Sequence, residues 1–311
     1  MDLKRLPAVL ILGMALLAAA NSVCADIVTN LSAVADTALF EPNPAYNLGG
    51  LRDFPVGVTA GMHGPPLRCR GLVKFDLTQL PTNAVITSAE LTVQAVKQSA
   101  LNSGSVVALH RLLLNWGEGA GSASSTGVPA TPGAATWLNR FHPSTPWASP
   151  GGAAGLDYVA TFSATNLVSG LGTFVFRSSP DLVLDVQTWV NHPETNFGWM
   201  LRDLVETTVG SGRRLASRES AGGNAPKLTI QYFLPAEPAP FSLREGGLVG
   251  DQFHFSFEAE SNSTYTVEVR DSQGAGSWRT LTNIPKQAVT SSIDISDSAS
   301  RDSAFYRVRT P

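Results

Sequence analysis

An all-β chain is predicted: a jelly-roll-like β-sandwich with one short helix, followed by a second, smaller β-sandwich. Three observations predict it. Short segments of alternating apolar and polar residues recur along the chain; 28 glycines and 20 prolines punctuate its 311 residues as turn formers; and a single stretch carries a helical stripe. The length accommodates one large and one small domain, each with its own core.

Taken in order, the chain opens with Lys4 and Arg5 ahead of the apolar run LPAVLILGMALLAAA, the pattern of an export signal over residues 1–25. Cleavage fits either before Asp26 or after Ala20; Asn21 and Val23 do not suit a lipoprotein reading of Cys24. No later segment is long and apolar enough to span a bilayer as a helix, so the mature chain is expected outside the inner membrane, secreted, periplasmic or on the cell surface. After cleavage at Ala25, Cys69 stands alone and reads as a buried small hydrophobe; the earlier cut would allow a Cys24–Cys69 bridge.

The first domain is placed at 26–233. Cys69–Leu77, Ala84–Val96 and Val106–Leu113 alternate as half-buried strands, with Val85, Ala89, Leu91, Val93 and Ala95 mostly on one face of the second. Trp116–Ala135 (WGEGAGSASSTGVPATPGAA) offers little to bury and is read mostly as a flexible surface excursion. It leads into ATWLNRFHPSTPWASPGG, where Trp137 and Trp147 are expected to anchor the loop and Arg140, Phe141 and His142 to face outward. A helix is predicted within Ser179–Asn191: Ser179 as N-cap, Pro180 at the first position, and Leu182, Val186, Trp189 and Val190 on one stripe. Asp181 and Asp185 are assigned to the helix N-terminus and its solvent face.

Residues 234–241 (LPAEPAPF) form a proline-spaced linker, and 242–311 a small fibronectin-like sandwich. There FHFSF (253–257) and YTVEVR (265–270) are read as adjacent strands joined by the turn EAESNS.

Several of these segments carry a resemblance. ADT (Ala35–Thr37), RGLVKFDLTQLPTNAVITSAELTV, Trp116 with Glu118, Thr136-Trp137, Trp147 with Gly151-Gly152, LDVQTWVN with NFGWMLR, and SRES (Ser217–Ser220) ahead of APKLTIQY together resemble the DNRLRE-type domain over about 33–233. That group is similar to carbohydrate-binding modules assigned to alginate-like acidic polysaccharides. The resemblance implies an exported sandwich and an acidic polysaccharide ligand such as alginate or pectin. The GMHGPP stretch at 61–66 is an addition that would reshape a nearby groove.

The chemistry agrees with binding rather than catalysis. There is no G-x-S-x-G, H-E-x-x-H, C-x-x-C or P-loop lysine motif, and the five histidines are scattered. A net charge of −3 with 15% charged residues argues against a nucleic-acid surface. For an acidic polysaccharide, forked cations and an aromatic face are wanted, which selects Arg213 and Arg214 as the first exposed contacts, then Arg202, Trp199, Lys74 and Arg140. Arg218-Glu219 is read as a structural ion pair. No cofactor is expected; a structural calcium would have to use Asp36, Asn47 and Asp76, without a supporting loop motif. The alternative is a structural or adhesive surface protein that contacts an envelope partner and no glycan.

Overall fold

The computed structural model describes residues 26–59, 67–235, 244–270, 277–298 and 304–309. The export signal, the GMHGPP stretch and most of the proline-spaced linker lie outside the described residues. The chain divides into two compact units, Met1–Ala236 and Glu237–Pro311. Both are all-β, and no described helix is long and apolar enough to cross a membrane.

The first unit comprises β1 (Ile27–Phe40), β2 (Tyr46–Asn47), β3 (Asp53–Val58), β4 (Arg68–Phe75), β5 (Val85–Gln98), β6 (Ser105–Arg111), β7 (Val128–Pro129), β8 (Asn139–Phe141), β9 (Thr145–Pro146), β10 (Ala164–Val168), β11 (Gly172–Phe176), α1 (Pro180–Asn191), β12 (Trp199–Asp203), β13 (Arg213–Ala216) and β14 (Lys227–Phe233). One sheet holds β14, β5, β11, β13 and β3; the other holds β4, β12, β6 and β10. β1 belongs to both. Residues 27–32 pair with β14, and after an irregularity between Ala33 and Ala35 the strand continues against β4. A bulge that re-aims a strand is the usual way to turn a sandwich corner.

Period-2 alternation fills the space between the sheets. Leu91 and Val93 of β5, Val73 and Phe75 of β4, Trp199 and Leu201 of β12, and Leu228 and Ile230 of β14 all belong to one buried cluster. Helix α1 adds Leu182, Val186, Trp189 and Val190 to it, the stripe the sequence predicts. Its cap is also as read: Ser179 Oγ accepts from Leu182 N at 3.1 Å, with Pro180 beginning the helix. Asp185 departs from the reading. It is buried, accepting from Ser163 Oγ (2.5 Å) and Trp199 Nε1 (2.8 Å) and pairing with Arg111 (2.9 Å), because it stands three residues after Leu182 and four before Trp189 on the inward stripe. Burial, the largest influence, pushes its carboxyl above the ordinary range against the hydrogen bonds from Ser163 and Trp199.

A second apolar cluster lies on the other face of β4 and β12. Leu72 and Met200 there meet Leu112, Trp116, Ala135, Trp137, Trp147 and Tyr158 from the long segment between β6 and β10. Trp137 and Trp147 are therefore buried anchors, as expected, and Trp147 Nε1 donates to Thr136 O at 2.9 Å. Trp116–Ala135 is not the free excursion its composition implies. Asn47 Nδ2 donates to Glu118 O and Ala135 O (2.7 and 3.0 Å), while Asn47 Oδ1 accepts from Gly49 N and Gly121 N. Gly119, at φ +76°, passes so close that a Cβ would lie 2.4 Å from Asn47 Oδ1. One side chain from a distant segment thus satisfies backbone that composition alone leaves unaccounted for.

The second unit has two three-stranded sheets: β15 (Arg244–Val249), β16 (Gln252–Ala259) and β19 (Ser291–Ser298) in one, β17 (Tyr265–Arg270), β18 (Arg279–Ile284) and β20 (Phe305–Arg309) in the other. FHFSF and YTVEVR consequently fall in different sheets and are not hydrogen-bonded neighbours. Phe255, Phe257, Tyr265, Val267 and Ile295 form the core between them, so the turn after β16 crosses from sheet to sheet rather than closing a hairpin.

Candidate functional site

The arginines selected from the sequence divide sharply. Arg213 is only 2% exposed, a correction to the expectation of an outward contact. Its guanidinium donates to the carbonyls of Gly170, Gly210, Ser211, Gly212 and Ser103 and to Asn102 Oδ1. The glycines that make the segment look exposed are themselves acceptors. Trp199 is likewise removed from any surface: it is fully buried, 4.5 Å from the Trp189 ring, with its indole N–H held by Asp185.

Arg202 projects from the opposite face of β12 and is half-buried, donating to Tyr158 Oη (2.6 Å) and Glu206 Oε2 (2.9 Å). Glu206 is shared with Arg70, which also donates to the carbonyls of Gly151 and Gly152. Both arginines therefore clamp the segment that covers β4 and β12. Arg140 is half-exposed beside Phe141, its guanidinium 5.5 Å from the ring, and donates to Asn115 O. Lys74 points away from the core, as the inward Val73 and Phe75 require, and lines a cleft of about 490 Å³.

Arg214 remains in a usable place. It lies opposite Lys97 of β5 and Pro55 of β3, so the three strands bring it beside Lys97 and Asp53. A groove of about 430 Å³ opens there, lined by Gly50–Asp53, Lys97, Ser122–Ser125 and Arg214. Asp53 takes Lys97 Nζ at 2.9 Å and the Arg214 guanidinium, which also donates to Ser125 O at 2.8 Å. Burial pushes the Asp53 carboxyl up, but the hydrogen bonds and charges of Lys97 and Arg214 outweigh it and hold the group below its ordinary range. Arg52 is exposed at the rim. Three cations against one carboxylate leave the groove with two positive charges, and Ser122, Ser124 and Ser125 add hydroxyls along one side. Such an arrangement takes an anion that also carries hydroxyl groups. Arg52-Asp53, Lys97, the serines and Arg214 come from four separate segments, and no spacing in the sequence links them.

The residues named for calcium are not brought together as a set. Asp76 is exposed and accepts from Thr78 N, and Asn47 holds loop backbone. Asp36 instead meets Glu118 and Glu219, one carboxylate oxygen of each lying within 4.8 Å of the others. These are the described residues spaced to surround a cation, and Arg218 already stands among them. Its guanidinium bonds Glu118 at 2.6 and 2.8 Å and Glu219 at 3.0 Å, and its backbone N–H donates to Asp36 Oδ2. ADT, Glu118 and SRES, three of the separate motifs behind the family resemblance, thus converge in one network. No family model matches the chain, and no curated protein does either.

Proposed function

We propose that this chain is an exported, non-catalytic carbohydrate-binding protein that takes an acidic polysaccharide in the Arg52–Lys97–Arg214 groove. The observation that carries the reading is the surplus of two positive charges in a groove edged by hydroxyls, with Asp53, Lys97 and Arg214 placed by paired strands. A uronate carboxylate would face Lys97 and Arg52, with sugar hydroxyls toward the serines. Binding without turnover is favoured by the single carboxylate in the groove, since glycoside hydrolysis ordinarily uses two, and Asp53 is already tied to two cations. The resemblance to DNRLRE-type domains supports the same ligand class.

Affinity electrophoresis in gels containing alginate, pectin or a neutral glucan tests the proposal. Retardation by an acidic polymer is expected, weakening as salt is added. The double variant Arg52→Ala/Lys97→Ala changes two exposed cations and should bind about tenfold more weakly, roughly the contribution of two half-solvated ion pairs. Unaltered retardation of the variant would remove the groove from the site. Absence of retardation by every polymer would leave the structural or adhesive alternative.

A further inference from the structure

Three segments of the first unit meet on the buried Arg213: 99–106 between β5 and β6, 167–172 between β10 and β11, and 204–212 between β12 and β13. The guanidinium donates to Asn102 Oδ1 and Ser103 O of the first, to Gly170 O of the second, and to the carbonyls of Gly210, Ser211 and Gly212 of the third. The first and third also touch directly. Ser103 Oγ donates to Val209 O at 3.0 Å, and a Cβ on Gly210 would lie 2.5 Å from Leu101 Cβ. One buried cation thus fastens three loops into a single surface. That surface is apolar. Because Asp203 of β12, Val107 of β6 and Val168 of β10 are buried, their neighbours Leu204, Val106 and Leu167 turn outward. The register lays these in a row across the sheet, Leu167 opposite Val106 and Leu204 N bonded to Val106 O. Leu101, Leu171, Val205 and Val209 stand on the same three segments and are exposed too. The segments carry one charge, Glu206, and it is turned to Arg70 and Arg202.

We propose that this face is the contact of a symmetric dimer, its occupant a second copy of the chain. In a twofold contact a residue near the axis meets its own counterpart, so a free charge there would face its like. A face whose one charge is already paired can lie against itself without that repulsion. The seven aliphatic residues expose on the order of 600 Å², the upper end of what the largest apolar patch on a monomer shows. With exposed Asn102, Ser169 and Thr207 around them, they approach the roughly 800 Å² that each partner buries in a stable interface. A lipid surface is a poorer match, since no lysine or arginine in these segments is there to hold headgroups. An unlike protein would find no charge pattern by which to be recognised. Two Arg52–Lys97–Arg214 grooves would then sit on one particle, a consequence that rests on the carbohydrate reading, whereas the contact itself does not.

Sedimentation equilibrium of the purified chain, without any glycan, tests the contact. Twice the monomer mass is expected, giving way to monomer on dilution. Leu167→Asp/Leu204→Asp sets two carboxylates in the exposed row of each copy and should weaken association by about a hundredfold or more. Val205→Lys, a single change on a loop, should weaken it by roughly tenfold through the same repulsion. Leu184→Asp alters an equally exposed leucine on α1 and should leave association as it was. A monomer at every concentration up to about 0.1 mM overturns the proposal. A dimer equally tight in both Leu167→Asp/Leu204→Asp and Val205→Lys overturns it as well, because the contact then lies elsewhere. Flotation of a monomeric parent chain with phosphatidylcholine–phosphatidylglycerol vesicles, lost in the same variants, would give the face to a lipid surface and overturn it too. Retardation by acidic polymers enters none of these readings, so the dimer and the charged groove stand or fall separately.

Discussion

Asp36 lies almost wholly out of water, and burial, only partly offset by the Arg218 backbone hydrogen bond, pushes its carboxyl from 3.8 to about 8. The neighbouring Glu219 and Glu118 add to the rise. Below about pH 4 both folded and unfolded chains hold this proton, and the group has no effect on stability. Above that the unfolded chain ionises freely while the folded chain does not. Stability therefore falls by about 1.4 kcal/mol per pH unit until about pH 8. Between about pH 5 and about pH 7.5 the loss from this one group comes to about 3 kcal/mol. Asp36→Asn keeps an oxygen for the Arg218 N–H and removes the titration. Urea unfolding followed by tryptophan emission reads the first unit, since Trp116, Trp137, Trp147, Trp189 and Trp199 are all buried there. The variant should gain about 3 kcal/mol relative to the parent on moving from the lower pH to the higher. Curves that remain parallel across that window would refute the argument, because every other titrating group is common to both proteins.

Three further outcomes follow from the fold. Ser179→Ala removes the side-chain acceptor for Leu182 N and should cost about 1 kcal/mol, read as a lower urea midpoint at unchanged slope. Arg213→Met leaves a ring of carbonyls without donors and should cost about 3–5 kcal/mol by thermal melting, with Arg213→Lys failing to restore it because a single ammonium cannot reach the same set. Cys69 is buried and free, with burial pushing its thiol well up, so a disulfide-exchange reagent should leave the folded chain unlabelled and react with it in denaturant.

Much of the first unit was legible because its signals are local. Alternation in β4, β5 and β6 and the cap and stripe of α1 need only neighbouring residues to be read. The signal that turns Asp185 inward is present in the sequence, at positions i+3 and i−4 to two members of the apolar stripe. Trp199 could also have been read inward, since Trp199 and Leu201 alternate with Met200 and Arg202. Arg213 was not legible: glycines beside an arginine look like exposure, and only the folded chain shows their carbonyls turned to the guanidinium. The ordering of Trp116–Ala135 depends on Asn47, some 70 to 90 residues earlier, and the charged groove on side chains from four segments. Charge and expected exposure single out Arg214 and Lys74, and both line clefts. Their partners there could not be found without the register of the sheets.

β1 pairs with β14 from Ile27↔Tyr232 to Ser32↔Lys227, so the first and last strands of the large unit are joined edge to edge. Contacts of such long sequence separation form late and slowly. Neither sheet can close until nearly the whole unit has been synthesised, and a nascent chain shorter than about residue 227 has no partner for the start of β1. The unit is clasped by its own two ends, which makes it resistant to assembly from the N-terminus and sensitive to truncation at either side.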